Sequence, residues 1–343
     1  MYGRELKNKE NSIRKEVSNK FSVFMLIFVL SVVLFHSGLR YHYPFIEDLA
    51  AIANSYFFCV SAFFFYRGLT KQNIYERWKK RIITLLLPYM LWNLTYMILN
   101  MKYIQMDIGN IIKGFTVNNY CQPSWYLLTL FIFISCSFFI KEAFKNIYST
   151  VIVLIVGITL SYCGYVLFQK ELVSIPIIGG YLIRMSEYLT PYLIGGIIGT
   201  WFDKRIGTSI IINILGGVSS VLIVIILFAN VTPGIRWLLW VVFPIVLWNA
   251  IPEKIFELLG FLKYITEPAF FISMLHCYFL NIGVGVGVKY WALTDKKGAL
   301  FSVIFSVIVC YAVYYLLKIF LPKILNIYTG NRMKSKKSVL NQT

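Results

Sequence analysis

Long apolar runs separated by short polar clusters dominate the chain. They occupy Phe21–Leu39, Leu49–Tyr66, Ile82–Leu99, Trp125–Ile140, Val151–Phe168, Tyr188–Trp201, Ser209–Ala229, Ile235–Ile251, Pro268–Val288 and Leu300–Leu321. A helix needs roughly 20 apolar residues to cross a hydrocarbon core about 30 Å thick, and most of the runs approach that length. The pattern predicts an all-α, polytopic membrane protein with about ten transmembrane helices. The run at Tyr188–Trp201 is short and is predicted to start nearer Tyr181, and Pro244 predicts a kink or tilt in the eighth run. Residues 1–20 and 322–343 read as tails flanking a transmembrane domain over 21–321.

Charge gives this array a direction. If successive connections alternate between the two sides, one side collects 24 of the 33 lysines and arginines, including both tails and the basic stretch Arg77–Arg81. By the positive-inside rule that side, with both termini, faces the cytoplasm. The net charge of +18 is therefore an orientation signal, and no nucleic-acid partner is expected. The first apolar run follows a long polar stretch and lacks a small-residue cleavage pattern, so it reads as a span rather than a signal peptide.

Composition narrows the class further. Hydrophobic residues make up 58% of the chain and charged residues 14%, against about 45–50% and about 25% in soluble domains. This excludes a conventional soluble enzyme. Of the six cysteines, five lie inside apolar runs, with no CxxC or Cys/His ligand spacing. They read as packing residues, with neither a disulfide framework nor a metal site expected.

Ionisable groups inside spans are costly and so are functional candidates. His36 lies about 22 Å along the first helix at 1.5 Å per residue, in the outer half of the bilayer. Arg40 follows at i+4, on the same face if the helix continues. A neutral histidine there suits a general base for a hydroxyl, or an interhelical hydrogen bond. His276, in the ninth run, has the same two readings. Arg77, Lys80 and Arg81 form either a contact with anionic lipid or a site for a polyphosphate such as the diphosphate of coenzyme A. Glu187, near the outer end of the sixth helix, pairs with Arg184 at i, i+3 or holds a sugar hydroxyl. Trp125 fits an aromatic belt, and Asn93 reads as interhelical glue.

Five segments, in order, carry a family likeness: Ser31–Ser37 ending the first helix, Phe57–Phe65, Lys80–Asn93, Pro123–Leu127 and Ala269–His276. Together they resemble the acyltransferase-3 family of integral-membrane O-acyltransferases, which acylate cell-surface polysaccharides, lipids and related acceptors. The chain departs from the family at Met25, where an arginine or lysine is usual, at Thr84, in place of a second basic residue, and at Leu128-Thr129.

The resemblance implies a catalytic role for His36, a cytosolic acyl-CoA donor and an acceptor at the outer face. It implies that Arg81, with Lys80 and Arg77, holds the donor's phosphates. Trp125, His276, Glu187 and Arg40 are expected around the substrate cavity, with His276 supporting the geometry or the oxyanion. No permanently bound cofactor is expected. The expected partners are acyl-CoA, a cell-envelope polysaccharide or lipid-linked sugar, and the bilayer of the cell membrane. Two rival readings keep the same helices: a transporter of a polysaccharide or lipid intermediate, and a catalytically silent membrane partner.

Overall fold

The computed structural model describes residues 20–70, 72–101, 107–116, 120–169, 185–201, 210–229, 231–252, 255, 262–291 and 295–331. The described residues form helices and connecting turns, with no strand among them. In chain order the helices are α1 (Lys20–His36), α2 (Phe45–Tyr66), α3 (Ile74–Leu99), α4 (Ile108–Thr116), α5 (Trp125–Ala143), α6 (Ile147–Gln169) and α7 (Leu189–Trp201). They continue with α8 (Ile210–Phe228), α9 (Pro233–Ala250), α10 (Leu262–Thr266), α11 (Ala269–Trp291), α12 (Asp295–Phe320) and α13 (Pro322–Tyr328).

Seven of these, α2, α3, α5, α6, α9, α11 and α12, are long and apolar enough to cross a membrane. The other three expected spans fall on α1 and α7, which are shorter over the described residues, and on α8, where the apolar stretch is Ile212–Phe228. The expected extension of α7 toward Tyr181 and the residues before α8 lie outside the described residues. Helix α1 stops at His36, earlier than its hydrophobicity suggested, because Gly38 adopts a left-handed φ of 86° and turns the chain into a short 3-10 segment, Leu39–Tyr41. His36 and Arg40 are therefore not on one helical face.

Large apolar side chains line the outside, among them Ile152, Phe228, Ile308 and Phe320. A surface of this kind suits hydrocarbon as solvent. Inside, α1 and α2 run through the centre, with Val33, Phe58, Ala62 and Phe65 fully buried. Helix α7 packs backbone to backbone on α2 through Gly195 and Gly199. A Cβ at Gly195 would stand 1.9 Å from the Cys59 carbonyl oxygen, and one at Gly199 2.6 Å from that of Phe63. This spacing is the GxxxG solution to close helix approach in lipid.

Helix α3 changes pitch at Ile82–Leu86, a π turn directly after Arg81. Pro88 lacks the N–H that would bond the Thr84 carbonyl in an α-helix, and the wider turn relieves the clash. Gly330 occupies the space beside that carbonyl, where a Cβ would lie 2.4 Å from the Thr84 oxygen.

The expected tails divide. Residues 1–19 and 332–343 lie outside the described residues. Lys20 opens α1, buried, and donates from Nζ to the Ile251 carbonyl at 2.8 Å beyond the end of α9. Helix α13 docks on α3: Leu325 is fully buried, the Trp92 indole donates to the Tyr328 carbonyl (3.1 Å), and the Tyr328 hydroxyl meets Thr95 Oγ1 (2.8 Å).

Candidate active site

One cavity of about 730 Å³ runs through the middle of the bundle. Phe21, Met25, Phe64 and Arg81 line it toward the N-terminal end of α1, and Arg40, Tyr41 and Glu47 line its opposite end. His36 is on the wall between them, at the C-terminus of α1. Trp125 and Glu187 also face this space. Five of the eight residues expected at the site, His36, Arg40, Arg81, Trp125 and Glu187, therefore share one cavity.

Each reaches the cavity for a local reason. Arg40 does so from the loop that Gly38 creates, where its guanidinium lies over the Phe35 ring (4.2 Å) and donates to the Tyr41 hydroxyl (2.8 Å). Trp125 opens α5 immediately after the turn Gln122–Ser124. That turn is pinned from α3 by Asn93, whose amide donates to Ser124 Oγ (2.8 Å) and accepts from the Cys121 backbone N–H (3.1 Å). The glue reading of Asn93 thus acquires a purpose, since it sets where Trp125 begins. Trp125 then packs against Phe58 and Tyr188, and Tyr188 stacks on Phe58 with centroids 5.1 Å apart.

The basic stretch on α3 is split. Arg77 turns back to the end of α2 and donates to the carbonyls of Phe65 (2.8 Å), Arg67 (2.8 Å) and Gly68 (3.2 Å). Lys80 is exposed on the surface. Arg81 alone of the three lines the cavity, and its Nε is buried with no hydrogen-bond partner among the described residues.

His276 is fully buried on α11, and its ring lies 5.3 Å from that of His36, centroid to centroid. Its Nδ1 meets the Ile272 carbonyl at 3.0 Å. A carbonyl only accepts, so Nδ1 carries the proton and Nε2 presents a lone pair. Nε2 faces Cys277 Sγ at 3.3 Å. The turn that carries both residues is braced by Tyr96, whose hydroxyl donates to the Met274 carbonyl (3.0 Å) and accepts from the Tyr278 N–H (3.2 Å). Those two backbone groups are i and i+4 in the helix, so the Tyr96 side chain bridges one rung of the ladder.

Several residues at the site escaped sequence reading. Cys277 looked like packing. Asn54 donates to the Tyr188 hydroxyl at 3.4 Å and lines the cavity with Glu47. Asp48, just behind, accepts from the Trp240 indole (2.8 Å) and lies 3.7 Å from Arg236 Nε. Acidic residues near the start of a helix are an ordinary pattern, so Glu47 and Asp48 gave no signal of their own. Arg184 lies outside the described residues.

A model of the acyltransferase-3 family, described as an acyltransferase domain, matches residues 25–325. No curated protein and no solved structure matches the chain. The match begins inside α1, ends inside α13 and so takes in cavity residues from Met25 through Arg81 and Trp125 to Met274. The chain belongs to the acyltransferase-3 family and is a multi-pass membrane acyltransferase.

Proposed function

We propose that this protein is an O-acyltransferase of the cell membrane. It moves an acetyl or other short acyl group from cytosolic acyl-CoA to a hydroxyl of a cell-envelope glycan or glycolipid. The observation that carries the reading is the single cavity shared by Arg81 and His36. A donor held by its phosphates at Arg81 extends its thioester along the cavity toward His36. The acceptor enters from the end lined by Arg40 and Glu47. His36 takes the hydroxyl proton as the oxygen attacks the thioester carbonyl, and the collapsing intermediate releases coenzyme A with that proton on sulfur. Glu47, Asn54 and Glu187 supply polar contacts and Trp125 and Tyr188 supply aromatic faces, a combination suited to a sugar.

The test is coenzyme A release and acyl transfer from radiolabelled acetyl-CoA, with succinyl-CoA and longer donors in parallel. His36→Ala is expected to lose activity by about 10²–10⁴-fold, the usual range for a general base, at unchanged protein abundance. Transfer that survives the substitution would overturn the assignment of His36. Met25 favours a second reading, a catalytically silent partner, because it puts a thioether on the cavity wall where the family carries a cation. That reading predicts no release from the wild type with any donor.

A further inference from the structure

A metal-binding geometry lies at the edge of the cavity, where His36 lines the space and His276 and Cys277 stand behind it. A ring nitrogen of His36, a ring nitrogen of His276 and Cys277 Sγ all lie within 4.8 Å of one another. His276 Nε2 and Cys277 Sγ are 3.3 Å apart. Two donors sharing one ion, with nitrogen at about 2.0–2.1 Å and sulfur at about 2.3 Å, lie about 3.5 Å apart. This pair is thus already at chelating separation, and a closure of at most about 1.5 Å brings the His36 nitrogen into the same shell.

A second observation points the same way. Imidazoles that bind metal generally donate their other ring N–H to a carbonyl or carboxylate, which fixes the tautomer and aims the lone pair. The His276 Nδ1–H bond to Ile272 does this. The turn is held as well, by the Tyr96 bridge and by Ser306 Oγ donating to the His276 carbonyl at 3.0 Å.

The donor set selects the ion. Thiolate with imidazole favours soft or borderline d10 cations such as Cu+ and Zn2+. The cluster contains no carboxylate. Two neutral imidazoles and one thiolate carry a single negative charge, so Cu+ gives a neutral assembly. Zn2+ would leave a positive charge within a membrane-spanning bundle, where uncompensated charge is costly. We propose that His36, His276 and Cys277 bind a soft d10 metal ion, Cu+ in preference to Zn2+, and that occupancy switches off acyl transfer by engaging His36. On binding, the Cys277 thiol gives up its proton to solvent and the metal keeps its oxidation state. The binding half stands on the cluster alone, whereas the inhibition half rests on the reading of His36 as the base.

The experiment uses the full chain in lipid nanodiscs. Cu+ is supplied anaerobically with ascorbate and competed against a chromophoric Cu+ chelator, with Zn2+ titrated in parallel. Neither donor nor acceptor is present. The expected result is one Cu+ per chain, with one sulfur and two nitrogen neighbours by X-ray absorption. Cys277→Ser and His276→Ala are each expected to weaken binding at least 100-fold, and Cys163→Ser to leave it intact. In turnover assays Cu+ is expected to abolish coenzyme A release by the wild type, while Cys277→Ser keeps its own metal-free rate when Cu+ is added.

Absence of stoichiometric binding, or binding that Cys277→Ser and His276→Ala both retain, overturns the site. Tighter binding of Zn2+ overturns the charge argument. Full turnover with Cu+ bound overturns the switch and leaves the acyltransferase reading standing. A wild type that binds Cu+ but shows no metal-free turnover keeps the site and overturns that reading.

Discussion

Three neighbouring cations on α3 show how one sequence feature divides into different physical roles. Arg77 satisfies carbonyls at and just beyond the end of α2, Lys80 meets the surface, and Arg81 faces the cavity. Their proximity in sequence suggested a shared phosphate site, because sequence gives the charge but not the rotation of the helix relative to its neighbours. Arg81→Ala is expected to raise KM for acyl-CoA about 10- to 100-fold, the loss of a charge-assisted bond of about 1.5–3 kcal/mol, while the protein still folds. Arg77→Ala is expected to do the converse. It should lower stability by about 0.5–1.5 kcal/mol as partly buried carbonyls lose their donor, with KM of the folded protein unchanged. Donor-dependent initial rates and thermal unfolding in detergent separate the two. His36 was legible because a histidine within an apolar run has few reasons to be there. Cys277 was not, since a cysteine in a span resembles every other small packing residue until His36 and His276 are seen beside it.

At the scale of elements, much of what shapes the site is backbone that side chains displace. The π turn before Pro88 follows from the missing proline N–H, and the helical turn around His276 is bridged by the Tyr96 hydroxyl. The first was open to inference from sequence, because Pro88 removes the partner of Thr84 whatever surrounds it. The second was not, since Tyr96 and Met274 come from helices far apart in the chain. The length of α1 was overestimated for a related reason: hydrophobicity continues to Leu39, but Gly38 ends the helix through its conformation rather than its polarity. The contact between α2 and α7 makes its own prediction. Gly195→Val forces a methyl-bearing carbon into the Cys59 carbonyl and is expected to cost about 1–3 kcal/mol or more. Gly217→Ala, with nothing within 4 Å of the added carbon, should be close to neutral. Yield of monodisperse protein and its melting temperature check both.

For the whole molecule, hydrophobic runs located the helices and the lysine and arginine bias assigned them sides, but neither could place a cavity. That cavity depends on which faces of α1, α2, α3, α5 and α11 turn inward. The sidedness itself is testable. In a background lacking Cys136 and Cys163, both exposed, His42→Cys is expected to react with a membrane-impermeant maleimide from outside intact cells. Lys79→Cys should react only after permeabilisation, and the opposite pattern would invert the topology.

The contact of Gly330 with the Thr84 carbonyl also sets a schedule. Helix α3 leaves the ribosome early, yet the segment that closes over its π turn is made only after α12, the last of the long spans. A nascent chain therefore acquires His36 first and the cover over the turn that follows Arg81 last. Until translation has passed residue 330, the π turn that follows Arg81 stands without the segment that covers it.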